Sequence, residues 1–201
     1  HGYTCRYVGN PTSDCIRAWK EQHAGEQGQK SKPMIALLPG SRPSEISHCL
    51  PVMLAAAREV AGEDYQIVVG AAPGIDDAFY QPYLSDEQLT RDAYSTLAQA
   101  RAAVVNSGTA TLETALIGCP QTAVYHVAGS KYLEWLLKPI MFKIKYFTLV
   151  NIIPEREVIQ ELVGQRFTQA NIQTELNRLL TDEAYRSQML QDYQHIQTIL
   201  G

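Results

Sequence analysis

Cysteine is scarce and unpatterned: Cys5, Cys15, Cys49 and Cys119 are scattered through 201 residues with no C-x-x-C pair and no histidine at ligand spacing. That excludes a zinc module and a disulfide framework, and leaves reduced thiols in a cytosolic protein as the reading. No apolar run approaches the roughly 18 residues of a membrane span, and no charged-then-apolar leader is present. Basic charge is not in excess, with 17 Lys and Arg against 21 Asp and Glu and a formal net charge of -4, so a general nucleic-acid surface is excluded. A P-loop lysine motif, internal repeats and low-complexity tracts are also missing. What remains is an ordinary globular composition, 45% hydrophobic and 19% charged. Its length suits one large domain that buries roughly 70% of its unfolded surface. The start, His1-Gly2-Tyr3 running into a strand-like Thr4 to Val8 without Met, reads as a cut through a longer protein or an expression remnant.

Short apolar runs alternate with helical patterns, which predicts βαβ units around a parallel sheet. Strands are expected at Met34 to Leu38, Gln66 to Val69, Ala102 to Val105 and Thr122 to Tyr125, each apolar on nearly every residue because helices cover both faces. After Ser47, an apolar face of Leu50, Met53, Leu54, Ala57, Val60 and Ala61 predicts a helix that Gly62 stops. A second helix is expected from Thr109, ending at Gly118-Cys119-Pro120. Pro73 to Asp92 is turn-rich and weakly patterned. Beyond Asn151 only helices are expected: Glu157 to Val163, Gln169 to Leu180, and Asp182 to the end, the last with a stripe of Met189, Tyr193, Ile196 and Leu200.

Two strand-to-helix junctions carry chemistry. Leu38-Pro39-Gly40-Ser41-Arg42 leaves a buried strand and enters the long helix, at the place where open α/β sheets bind ligands. Helix N–H groups and the positive dipole end favour an anion there, Gly40 allows close backbone approach, and Arg42 offers a forked donor set. The plainer alternative is a Ser44 or Ser47 cap beside a solvated arginine. Asn106-Ser107-Gly108-Thr109-Ala110-Thr111-Leu112-Glu113 is a second such junction. Ser107 and Thr109 offer hydroxyl and backbone N–H donors, Gly108 removes an obstructing side chain, and Glu113 lies one turn into the helix, placed to accept ribose hydroxyls. Alone this is also readable as a capped helix. Together the two junctions predict one pyrophosphate pocket for a nucleotide.

These residues, in this order, resemble the lipid-A-disaccharide synthase family. The resemblance rests on Leu38 to Arg42 with Glu45-Ile46, on Asn106 to Glu113, and on Thr148-Leu149-Val150-Asn151-Ile152-Ile153. Tyr7 to Pro11 and Arg156-Glu157-Val158 with Glu161-Leu162 extend it over the whole chain, as the C-terminal half of such an enzyme. The family pattern is departed from at Val150, His126 and Gly164. The resemblance implies one Rossmann-like half of a GT-B glycosyltransferase: an α/β parallel sheet with helices on both faces, followed by C-terminal helices. Residues 1–164 would form the UDP-sugar-binding domain, with 1–11 a remnant of the inter-domain strand. Residues 165–201 would pack on the missing N-terminal domain or exchange between chains of a homodimer. The implied reaction joins UDP-2,3-diacylglucosamine to 2,3-diacylglucosamine 1-phosphate and releases UDP, with no cofactor and no metal. Gly40, Ser41, Arg42, Ser107, Gly108, Thr109 and Thr111 would then surround the diphosphate and Glu113 would hold the ribose. Glu45 and Tyr125 would lie beside the donor, and Asn151 would join Arg42 in donor positioning and leaving-group stabilisation. The general base would belong to the missing half, so this chain alone is expected to be inactive.

From Lys131 to Phe147 four lysines interleave with eleven apolar or aromatic residues and a single Glu134, a local charge of +3. Such a run either rests on an anionic membrane surface, which suits acylated substrates at the inner face of the inner membrane, or packs on the sheet with its lysines snorkelling outward. Two rival functions stay open at this stage: a related UDP-sugar epimerase, and a nucleotide-binding or assembly module without chemistry.

Overall fold

In the computed structural model, residues 10–23, 32–126 and 145–201 are described. Six parallel strands form one sheet: β1 (Met34–Leu38), β2 (Gln66–Gly70), β3 (Gln88–Thr90), β4 (Ala100–Asn106), β5 (Gln121–Tyr125) and β6 (Glu161–Val163). Their order across the sheet is β3-β2-β1-β4-β5-β6, so chain direction across the sheet reverses between β1 and β4. The four central strands are those expected, and their unbroken apolar runs have the expected cause. Ile35, Ala36, Leu37, Ala102, Ala103, Val104 and Val105 are all fully buried because helices cover both faces.

One face carries α2 (Pro43–Ala61) and α6 (Gln169–Thr181), which pack extensively on each other and on β4. The other carries α1 (Pro11–Gln22), α3 (Ala93–Gln99), α4 (Thr109–Ile117) and the short α5 (Leu149–Ile152). A final helix, α7 (Glu183–Leu200), passes Arg101 at the start of β4, where Arg186 donates to the Arg101 carbonyl, and ends against α4. Helix α2 begins four residues earlier than Ser47. Pro43 occupies its first position, where a missing N–H costs nothing and the fixed φ suits the helix, so Arg42 becomes the N-cap residue.

One expectation is corrected here. Glu157 to Val163 is not a helix but an irregular turn leading into edge strand β6. Val158 and Ile159 plunge into the core, and the Asn151 side chain takes their N–H groups, which removes them from any helical ladder. Residues 165–201 pack within this chain. Ile172, Leu176, Met189, Tyr193 and Ile196 are buried against this chain's own sheet and helices. The turn-rich stretch resolves into a 3-10 turn at Asp77–Phe79 and strand β3. Arg58 of α2 ties it down through Glu87 at 2.5 Å and the Tyr83 carbonyl at 3.0 Å. The strand-like Thr4 to Val8 lies outside the described residues, as does most of the Lys131 to Phe147 run.

Candidate functional site

Both glycine junctions leave the carboxyl ends of neighbouring strands at the point where the strand order reverses, the position at which doubly wound sheets hold ligands. Leu38 pairs with Val105, so Gly40 and Ser107 stand side by side two residues beyond the last paired positions. Gly40 packs against the end of β4 and the first turn of α2: a Cβ built on it would lie 2.7 Å from Asn106 Nδ2 and 2.6 Å from Glu45 Oε2. With φ at +122°, Gly40 also holds a conformation that side chains rarely adopt, so this position requires glycine twice over. Gly108 is different. Its backbone is extended at φ 164°, and an added Cβ would meet nothing within 4 Å.

Neither helix that starts here has a side-chain cap. Among the described residues no acceptor meets the N–H groups of Thr109 and Ala110 in the first turn of α4, and these point out of the helix toward the junction. At α2 the carboxylate of Glu45 reaches back, accepting from Ser41 N–H at 3.0 Å and from the Arg42 guanidinium at 3.2 Å. Arg42 remains largely open to solvent.

The expected ligands divide into two sets. Ser41, Arg42, Gly40, Gly108 and Thr109 line the paired junctions, with Glu45 among them and Tyr125 exposed at the end of β5. Ser107 offers only its hydroxyl, because its N–H is committed to the Val124 carbonyl at 2.7 Å. Thr111 is fully buried and donates to the Gly108 carbonyl at 2.8 Å, so it shapes the loop from behind. Asn151 is also fully buried. Its Oδ1 accepts from Val158 N–H at 2.7 Å and Ile159 N–H at 3.0 Å, and its Nδ2 donates to the Ile159 carbonyl at 2.9 Å. Those bonds give Asn151 a bracing role. Beside it Glu161 of β6 takes the N–H groups of Phe147 and Thr148 and the Thr148 hydroxyl at the start of α5. Asn151 and Glu161 thus bind α5 and β6 into one unit.

Three residues beyond the expected set pack against residues of the candidate site. Asn106 ends β4 almost wholly buried, with Oδ1 held by the Cys49 thiol at 3.7 Å and Nδ2 turned toward Gly40. Burial, more than any neighbouring charge, pushes Cys49 up to about 11, so it stays a thiol and a donor at neutral pH. Tyr94 of α3 lies against Glu113; burial first and then that carboxylate push the phenol up to about 12. An otherwise apolar strand ending in Asn is the one sequence signal that pointed to Asn106. Nothing local pointed to Tyr94, which the β3-to-β4 connection delivers. Near the junctions His48 and His126 stack with ring centroids 4.5 Å apart. Among the described residues no cluster of three His, Cys, Asp or Glu is placed to hold a metal ion.

A family model described as Lipid-A-disaccharide synthetase matches residues 1–199. The chain belongs to that family. Among its relatives, the lipid-A-disaccharide synthase of Koribacter versatilis is 36% identical over 168 residues, covering 81% of this chain and 43% of the relative. That of Anaeromyxobacter dehalogenans strain 2CP-C is 31% identical over 210 residues, covering 100% of this chain and 54% of the relative. The chain therefore spans about half the length of the curated relatives it matches. Among solved structures, the calicheamicin glycosyltransferase CalG4 superposes with a TM-score of 0.57 at 18% identity, over 88% of this chain and 41% of that one. A candidate UDP-N-acetylglucosamine 2-epimerase from Listeria monocytogenes gives 0.56 at 16% identity, over 92% and 47%. At such identities the superpositions establish the fold, one half of the GT-B architecture, and do not separate transferase from epimerase.

Proposed function

We propose that this chain is the donor-binding half of a lipid-A-disaccharide synthase, holding the UDP of UDP-2,3-diacylglucosamine while the sugar passes to 2,3-diacylglucosamine 1-phosphate. The carrying observation is the contact between the Gly40 and Gly108 junctions at the reversal of strand order. On this reading the first-turn N–H groups of α4, the Thr109 and Ser107 hydroxyls and Arg42 would supply the donors to a diphosphate. As the glycosidic bond breaks, negative charge builds on the β-phosphate. Donors fixed in advance stabilise that charge more than they stabilise the bound ground state. Glu113 is assigned to the ribose hydroxyls. Asn151 acts at one remove, by holding the α5–β6 unit.

Proton removal from the acceptor hydroxyl falls to the half of the enzyme not in this chain, so the chain alone binds donor without turnover. The Lys131 to Phe147 charge pattern and the acylated substrates support a peripheral position on the cytoplasmic face of the inner membrane. Among the described residues no helix is long and apolar enough to cross a membrane.

Calorimetric titration with UDP, UMP and ADP tests the reading. UDP is expected to bind more tightly than UMP and ADP, and Arg42→Ala and Glu113→Gln are each expected to weaken it by roughly tenfold or more. Equal affinity for UDP and ADP, or indifference to both substitutions, would overturn it.

A further inference from the structure

The donors of the Gly40 junction already hold an anion, and it belongs to the chain itself. Glu45 stands at the third position of α2, where a glutamate commonly reaches back to the N-cap N–H. Here it reaches one residue further. One carboxylate oxygen accepts from Ser41 N–H at 3.0 Å and the other from the Arg42 guanidinium at 3.2 Å. A carboxylate and a phosphoryl group accept from such donors in the same way, so the two compete for one set of N–H groups.

A third donor faces the same space from the other strand. Asn106 is 6% exposed; Cys49 holds its Oδ1, which turns Nδ2 toward Gly40, and among the described residues Nδ2 has no acceptor. A single point, the missing Cβ of Gly40, lies 2.6 Å from Glu45 Oε2 and 2.7 Å from Asn106 Nδ2. The gap above Gly40 therefore has no room for a second anion while the carboxylate is in place.

We propose that Glu45 is an internal anion that occupies the diphosphate cradle of the unliganded protein and is displaced by the donor's phosphate, so that it raises the affinity threshold that any anion must pass. This rests on the donor-site reading above. Glu45 lies at the surface end of its helix with its side chain 28% exposed, so it leaves the cradle by side-chain rotation alone. A small free anion must displace the carboxylate using phosphate contacts only. A nucleoside diphosphate brings further contacts at Glu113 and along α4, which offset the exchange. Glu45 thus screens out inorganic anions and recaptures Ser41 N–H and Arg42 when UDP departs.

Titration of UDP and of inorganic pyrophosphate into the 201-residue chain and its Glu45→Gln, Glu45→Ala and Arg42→Ala variants tests this. Both Glu45 variants are expected to bind UDP and pyrophosphate roughly three- to tenfold more tightly, since an exposed ion pair and its repulsion of phosphate are removed. The loss caused by Arg42→Ala is expected to be larger in the Glu45→Gln background, where the guanidinium no longer serves two anions. If Glu45→Ala lowers the melting temperature, the near-isosteric Gln variant alone gives the reading. Unchanged or weaker UDP binding in Glu45→Gln, with Arg42→Ala still damaging, would overturn the inference and leave the donor site standing. Indifference of UDP binding to Arg42→Ala and Glu113→Gln would overturn the donor site, and the inference with it.

Discussion

At the residue scale the two glycines look alike in the sequence and do different work in the fold. Each follows a buried strand and precedes a helix, which was enough to mark both as phosphate-loop candidates. Gly40 sits at φ +122° against Glu45 and Asn106, whereas Gly108 is extended with open space where a side chain would be. Gly40→Ala is therefore expected to lower stability by about 2–3 kcal/mol, from a strained backbone and contacts under 3.0 Å, as well as to weaken UDP binding. Gly108→Ala is expected to cost no more than about 0.5–1 kcal/mol as an N-cap change, yet to weaken UDP binding by roughly tenfold because its methyl enters the space the phosphate needs. Paired denaturation and calorimetry separate the two effects. A Gly108→Ala chain that binds UDP normally would remove α4 from the phosphate site. The spacing of the glycines was legible because it is local. Asn106 was not, because its meaning depends on Gly40 being across the strand gap and on Cys49 fixing its amide.

Among elements, the sequence was clearest where burial is symmetrical and weakest at the sheet's margins. Strands β1, β2, β4 and β5 announce themselves by unbroken apolar runs; β3 and β6 are three residues each at the edges, too short to show a period. The misread Glu157 to Val163 has the same root. Its apolar spacing suits a helix, but Asn151 takes the N–H groups of Val158 and Ile159, and β5 recruits Glu161 to Val163 into the sheet. Asn151 was expected at the donor site from the family resemblance alone, and its side chain bonds to the backbone of Val158 and Ile159. The loop before β3 is held by a different polar device, the Arg58–Glu87 pair. Burial alone would raise the Glu87 carboxyl, but the Arg58 hydrogen bond and the Ser85 N–H outweigh it and hold Glu87 down at about 2. A carboxylate lowered from its ordinary 4.5 contributes stability that is complete above about pH 4.5 and is lost as pH falls toward about 2. Solvent reaches the arginine, so the contribution is about 1–2 kcal/mol. Glu87→Gln is expected to lower stability by that amount at pH 7 and to match the parent near pH 2. Denaturant melts across this range check it, and a deficit that persists undiminished at pH 2 would remove the ion pair as its cause.

For the molecule as a whole, the decisive question is whether the C-terminal helices are part of this fold or an arm meant for something else. Sequence alone does not decide this, because an apolar stripe on a last helix looks the same whether its partner is near or distant. The structure puts the partner within the chain: α6 covers β4 and β5 beside α2, and α7 continues to α4, where Gln197 donates to the Leu116 carbonyl. Asp192 on α7 accepts both Nη groups of Arg156 at 2.8 and 2.6 Å, which also clamps the α5–β6 unit to the last helix. Ile172, Leu176, Leu179, Met189, Tyr193 and Ile196 are each at most 2% exposed. Burying each such side chain is worth about 1.5–3 kcal/mol, so together they contribute about 9–18 kcal/mol, as much as the entire net stability of a typical domain. A chain ending at Gly164 is therefore expected to lose near-ultraviolet circular dichroism and to show no cooperative thermal transition, while the 201-residue chain melts in one step. Cooperative melting of the shortened chain within a few degrees of its parent would mean that residues 165–201 are dispensable to the donor-binding sheet and that their apolar surface serves some other contact.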